Sequence, residues 1–444
     1  MEREIVVVGS AAGAVRAAAA CAQRGHRVTW ICPDERAVGT PDLPEGSGRL
    51  EASEPPGPLA EDVLGPLEPL AAPERALAVG GRMHRLPLRP GQLLSILGPS
   101  ATGAATWGFA RVRAREAMGG VIGSWSEIRS YRDWVSWRYG EPLFQGLFGP
   151  YCARRWGPPD QVGAALARWY HGVASAHAWV TPSEGVSARF ERARHEVEAK
   201  GGSVRSGLPV RRLVVRDGHV AAVLLAGNRR SRVEGTLLVA SPPAEVATWL
   251  GEALPEPIRI HVARLGHRHG LQVLVPAEDA ELPDEVHLVG HGGPFFRITR
   301  PGRLPAYRDL AGHLLLHAAL DPEDPLWTAT DREVEAAARS ALEEIRGIHL
   351  NAGRVVVRRQ PADEPCWSLA TTPSWIRARA AFASLGIVGV GRAGTFGHLD
   401  PLGEVRFLDA LLADVPVGEA HRLHVDPPFD QPRWPGELPT FLQR

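Results

Sequence analysis

The most constraining feature of this chain is its opening segment. Residues 4–9, EIVVVG, are a continuous apolar run that ends in glycine. Such a run fits a strand buried on both faces of a parallel sheet, where alternation with polar residues is absent. Residues 10–24, SAAGAVRAAAACAQR, follow as an alanine-rich helix with Gly25 placed to cap it, and RVTWI (27–31) reads as a second strand. Strand, tight glycine turn, helix and strand within thirty residues make a βαβ unit, whose crossover is expected to be right-handed.

Farther on, VRRLVVRDGHVAAVLLAGNRR holds two alternating segments joined by Asp217-Gly218, a hairpin signal. TLLVAS (236–241) and LGIVGVG (385–391) read as two more buried strands, expected beside 5–8 and 27–31 in one sheet. Residues 41–75 are rich in Pro, Gly and Glu and read as loop with short helical pieces, and 100–180 read as largely helical. From 258 to 380 strands (LQVLVP, HLLLHAAL, RVVVRR) mix with one helix at 331–346, and 401–413 is a last helix.

A chain of 444 residues exceeds one hydrophobic core and fits two or three domains. Fifty basic and fifty acidic residues cancel, so no global field draws nucleic acid or an anionic membrane. No apolar stretch approaches the roughly 20 residues of a membrane span, and the apolar run after the acidic N-terminus is too short for a signal peptide. Cys21, Cys32, Cys152 and Cys366 are scattered without a CxxC, as suits a reducing cytoplasm, the expected location.

Several longer segments carry a resemblance. The opening VVVGSAAGAVRAAAACAQRGHRVTWICPDERAVGT, GGRMHRLPL (80–88), the stretch 130–169, SGLPVRRLVVRDGHVAAVLLAG (206–227) and GIVGVGRAGTFGHLDPLGEVRFLDALL (386–412) run in the order found in protoporphyrinogen-oxidase-like and amine-oxidase-like flavoproteins, which the chain resembles over most of its length. The resemblance implies an α/β fold: an FAD-type (glutathione-reductase-like) Rossmann domain from 1–80, 181–250 and 384–414, a helical insertion at 81–180, an α+β substrate domain at 251–383, and a C-terminal tail at 415–444.

It also implies a cofactor, FAD. In such a fold the first glycine makes the turn, the second lets the pyrophosphate approach, the third lets helix pack on strand, and the helix N-terminus faces the phosphates. Gly9 takes the first place, Ala11 the second and Ala14 the third, with Ala12 and Gly13 between. Ala11 puts a methyl where the pyrophosphate approaches, and Cys32 stands where an acid would hold the ribose, unless Asp34 or Glu35 replaces it. Arg36, Val210 (through its backbone), Gly391, Arg392 and Gly394 complete the implied cofactor contacts, and the turn 396–402 is expected to cover the flavin ring. FAD binding is therefore expected to be weak.

His84, Tyr151, Trp156 and His398 are the substrate-side candidates, with Tyr131, Trp134 and Trp137 as further aromatic lining. The histidines offer proton transfer near neutral pH. His313 and His317 share a strand face but stand about 13 Å apart, too far to grip one metal ion. His267 and His269 read as solvated loop residues. Lys200, the only lysine, ends a helix, so the lysine-held water of many amine-oxidase-like enzymes has no counterpart. No residue is singled out as catalytic acid or base. The sequence leaves three functions open: an FAD-linked oxidoreductase that dehydrogenates a small apolar or cyclic substrate, a flavin-free relative acting as a binding or partner subunit, and a flavin-dependent sugar mutase; a protein partner or a homo-oligomer is open in each.

Overall fold

The computed structural model describes residues 4–33, 42–52, 56–117, 128–172, 178–277, 282–290, 293–413, 416 and 420. The apolar runs assemble as expected. Strands β1 (Glu4–Val8), β2 (Arg27–Cys32), β8 (Ser203–Ser206), β12 (Thr236–Val239) and β18 (Ile387–Gly389) form one parallel sheet in the order β18-β12-β1-β2-β8. Val6 and Val8 of β1 enter one hydrophobic core, whereas Ile5 and Val7 enter another. Both faces of the strand are covered, which is why its sequence does not alternate.

Helix α1 (Ala12–Gln23) packs on this sheet between the helices Val186–Ala199 and Pro401–Leu412. Its residues from Gly13 to Ala22 are all buried. Alanine suits a helix walled in on several sides, because it adds little volume and loses no rotamer freedom.

The second large sheet has seven strands in the order β17-β13-β16-β15-β14-β5-β6. These are β5 (Arg75–Val79), β6 (Arg82–Arg85), β13 (His267–Pro276), β14 (Glu285–Val289), β15 (Phe295–Thr299), β16 (His313–Leu320) and β17 (Val356–Pro365). All neighbours are antiparallel except β14 and β5. The segment 75–79, read from sequence with the first domain, thus belongs to this second sheet. His267 and His269 are also corrected: they open β13 rather than lying in a loop, and His267 is buried.

The hairpin of β9 (Val210–Arg216) and β10 (His219–Leu225) turns at Asp217 and Gly218, both at positive φ (51° and 79°), the conformation that a two-residue turn between twisted strands requires. With β11 (Arg230–Arg232) it makes a three-stranded sheet, and β3 (Leu50–Ala52), β4 (Leu67–Leu70) and β7 (Ala178–Pro182) make another. The helical region contains Tyr131–Tyr139, opened by a Ser130–Asp133 capping box, and Gly149–Arg155. No helix among the described residues is long and apolar enough to cross a membrane.

Candidate functional site

The carboxyl end of β1 opens on a crevice built around the glycine turn. Gly9 has φ +143°, and a methyl added there would stand 2.9 Å from the Ala240 Cβ and 3.1 Å from the Ala14 Cβ. Only glycine makes this turn. Ala11, just before α1, is exposed and Ala12 half-buried; α1 has no side-chain cap and no acid in its first turn. The partial positive charge of the helix start is therefore left for an anion. Gly13 lies against Gly391, where the short helix Gly391–Thr395 begins.

Cys32 ends β2, the position from which a carboxylate would reach the ribose. It is fully buried and its thiol donates to the Ser10 hydroxyl at 3.4 Å. Gly207 N–H donates to the Cys32 carbonyl at 3.0 Å, which brings the approach to Val210, the first residue of β9, to this strand end. Arg36, Asp34 and Glu35 lie outside the described residues.

Arg16 was not foreseen. It is the one charge in an otherwise small and apolar run on α1, and its guanidinium reaches Glu45 (2.8 Å) and Glu404 (2.7 Å from Nε). Arg189 adds a second cation 3.5 Å from Glu45. Burial pushes the Glu45 carboxyl up, but Arg16 and Arg189 outweigh it and hold it at about 2. Burial raises Glu404, and Arg16 only partly offsets that rise.

The wall opposite is the seven-stranded sheet. Arg358, Gln272, His317, Arg297, His287, Leu77 and His84 face one another in register across all seven strands. Directly paired residues share a face, so this row forms a polar stripe across the sheet. Segment 43–46 runs along it: Gln272 donates to the Pro44 carbonyl (3.1 Å) and Arg358 to the Leu43 carbonyl (3.1 Å).

Two irregularities in the sheet redirect further side chains. Phe295 pairs with Ala318 and Arg297 with His317, so Phe296 is an extra residue in β15. Phe295 enters one core and Phe296 another, on the side of Tyr151 and Trp156. A bulge of this kind re-aims a side chain. In β17, Glu364 pairs with Arg268 but Gln360 with Gly270, leaving residues 361–363 looped out, with Ala362 at φ 53°. Asp363 lies over Gly270, where a methyl would come within 2.6 Å of its carboxylate.

Asp363 and its neighbour Glu364 meet the closing turn of the chain. Arg392 approaches Asp363 (3.5 Å) and Glu364 (3.9 Å), and His398 Nδ1 is 3.3 Å from Glu364. Arg155, on the helix Gly149–Arg155, stands 3.7 Å from Glu364 and donates to the Tyr151 hydroxyl (3.2 Å), which is 3.1 Å from His287 Nδ1. Burial raises the Glu364 carboxyl, but Arg155 and then His398 overcome it and hold the group far below its usual range. Burial lowers His398, opposed by Glu364, and takes His287 down to about 3. The side chains of Arg392 and Asp363 are 30% and 31% accessible, so solvent reaches this pair.

Of the candidates read from the sequence, the structure joins Tyr151, His398 and Arg392 through this network, with Trp156 packed on Tyr151 and Arg155 and Gly391 preceding Arg392. His84 lies at the far end of the stripe on edge strand β6, two strands from His287 or about 10 Å. Tyr131 and Trp134 are fully buried core residues. Thr395 and Gly394 are buried in the turn, and a methyl on Gly394 would meet the Val239 carbonyl at 2.3 Å. His317 is buried and bonded to Thr299 at 2.9 Å; no group of metal-binding side chains occurs among the described residues. His267 packs edge-on against Phe396 of the same turn, with ring centroids 5.1 Å apart.

No family model matches the chain, and no curated protein matches it in sequence. Its fold is similar to that of several solved structures. A reduced UDP-galactopyranose mutase superposes with a TM-score of 0.71 at 12% identity, over 95% of this chain and 96% of that one. A protein described as a protoporphyrinogen oxidase from Exiguobacterium sp. 255-15 gives 0.64 at 15% identity, over 93% and 99%. Cyclohexylamine oxidase from Brevibacterium oxydans gives 0.61 at 14% identity, over 95% and 99%. The chain therefore has the fold of protoporphyrinogen-oxidase-like and amine-oxidase-like proteins, as its sequence motifs imply.

Proposed function

We propose that this protein is a flavin-linked oxidoreductase that holds FAD loosely and dehydrogenates a small, largely apolar or cyclic substrate. The observation that carries this reading is the crevice itself: an uncapped helix start at Gly9–Gly13, packed against the Gly391 turn, with a solvent-accessible Arg392 next in the chain, at the carboxyl end of a parallel sheet. Ligands of open α/β sheets bind at such strand ends. The diphosphate end fits: the first-turn N–H groups of α1 and the Gly391 turn would hold it. The ribose end fits less well, because a buried thiol, not a carboxylate, closes β2. Loss of that one charged hydrogen bond weakens binding by about 1.5–3 kcal/mol. Bound FAD would supply hydride acceptance. The chain's own part is to position it and to wall the substrate with Tyr151, Trp156 and Phe296, while Glu364 holds the His398 ring in the covering turn. None of the four cysteines is in a disulfide, which favours the reducing cytoplasm as its location.

One observation favours a second reading, a flavin-free relative acting beside a protein partner. Glu45 and Glu404 already neutralise Arg16 within the crevice. The two readings separate on anaerobic mixing of FAD-loaded protein with a panel of small cyclic amines and alicyclic substrates. Bleaching of the oxidised flavin band by any member supports the enzyme; an unchanged band with every member, at full FAD loading, contradicts it.

A further inference from the structure

Around Phe296 the charges pair off with one exception. Arg75 stands 3.3 Å from Glu285, and Arg155 stands 3.7 Å from Glu364. Arg297 makes no hydrogen bond or ion pair among the described residues, and its Nε is buried without an acceptor. Glu285, diagonal to it across β14, is the partner of Arg75. The facing histidines add no charge: burial lowers His287 to about 3 and His317 well below its ordinary value. A guanidinium with no carboxylate of its own in such surroundings favours an added anion, because Glu285, shared with Arg75, offsets only part of its charge. Burial and the neighbouring Arg155 accordingly weaken the hold of Arg297 on its proton, with Glu285 opposing.

We infer that Arg297 is the recognition point for a single carboxylate on an aromatic or alicyclic substrate, seated in the cleft with its ring against Phe296 and Tyr170. The bulge in β15 turns Phe296 and Arg297 to the same side, and the Arg297 guanidinium lies 5.7 Å from the Phe296 ring. One apolar surface beside one unpaired planar cation matches a ring bearing one planar anion, because a carboxylate takes two parallel N–H donors from one guanidinium. The Arg155 guanidinium, stacked among Trp156, Tyr170 and Phe296 at 4.8–5.4 Å, keeps the remaining wall cationic and apolar. Gly46 passes over Arg297, with 3.8 Å between Nη2 and a methyl built on that glycine. Its neighbour Glu45 is tied to Arg16, so the carboxylate site adjoins the crevice at α1. The inference rests on reading this cleft as a substrate site, but not on the flavin.

Calorimetric titration of the full, cofactor-free chain with benzoate and with its neutral analogue benzamide tests it. Benzoate is expected to bind once per chain and about tenfold or more tighter than benzamide. Arg297→Gln should erase that preference, and Arg297→Lys should keep part of it. On the unaltered chain, benzoate affinity should fall as the ligand's own carboxyl protonates, and saturating FAD should leave it within about twofold. Equal affinity for benzoate and benzamide, a preference that survives Arg297→Gln, or displacement of benzoate by FAD would each overturn the assignment. Because the titration needs no flavin, a failure to bind FAD would leave it standing.

Discussion

Gly13 and Gly391 meet backbone to backbone: a methyl built on Gly13 would stand 2.5 Å from the Gly391 Cα, and one built on Gly391 would stand 2.9 Å from the Gly13 Cα. This contact locks the first turn of α1 onto the closing turn of the chain, so the two halves of the crevice are held at a fixed spacing. Gly391 also has φ +68°, a conformation that L side chains resist.

Gly391→Ala should therefore be the more damaging exchange, combining strain with a backbone clash for a loss of about 2–4 kcal/mol. Gly13→Ala should cost less, and Gly91→Ala, with nothing near its added methyl, should be neutral. Thermal unfolding of the three variants gives the ranking. A Gly391→Ala protein as stable as the Gly91→Ala control would show that the contact yields without cost.

Glu45 gives a prediction in pH. Its folded value of about 2 lies below that of an unfolded glutamate, about 4.3. A depressed carboxyl contributes stability that is present above the unfolded value and lost as pH falls through the folded one. Glu45→Gln should therefore destabilise the protein near neutral pH by about 1–3 kcal/mol. The gap to the unaltered chain should close as pH falls from about 4.3 towards 2. A gap independent of pH would mean that the carboxylate charge is not what matters.

His267 is buried against Phe396 and hydrogen-bonded to the Ala393 backbone; burial lowers it to about 4 despite that bond. A histidine lowered in the folded state favours folding above its unfolded value, about 6.5, and loses that contribution as pH falls towards 4. Its ring resonances should stay at the neutral position at pH 6. Titration of this ring with a midpoint near 6.5 would contradict the packing described for the turn.

Much of the parallel sheet is legible in the sequence because buried strands write themselves as unbroken apolar runs, as Ile5–Val8 and 236–239 do. Asp217-Gly218 is equally plain, since few residues accept positive φ in succession. The candidate site is less legible. Arg16 meets Glu404 across 388 positions and Glu45 across 29; nothing local signals these pairs, although a lone arginine inside an alanine-rich helix is a hint. The bulge at Phe296 depends on how β15 registers against β16, a tertiary fact. His267 and His269 read as loop because HRH looks polar, whereas β13 packs His267 against Phe396 and stacks His269 on Trp327.

The ribose end gives a gain-of-function test. Cys32→Glu combined with Ala11→Gly should raise FAD affinity about tenfold or more, the effect of about 1.5–3 kcal/mol from one charged hydrogen bond. The buried Cys32 position admits the longer side chain only if Ser10 turns aside. No gain from a folded double variant would place the obstacle elsewhere in the crevice.

This crevice is expected to accept FAD but hold it loosely, and equilibrium dialysis of the purified chain against FAD measures both properties. Saturable binding of one FAD per chain is expected, largely lost when the complex is desalted and weakened further by Arg392→Ala. No saturable binding at any FAD concentration, with the protein folded, would contradict it, as would a flavin that survives desalting at full occupancy.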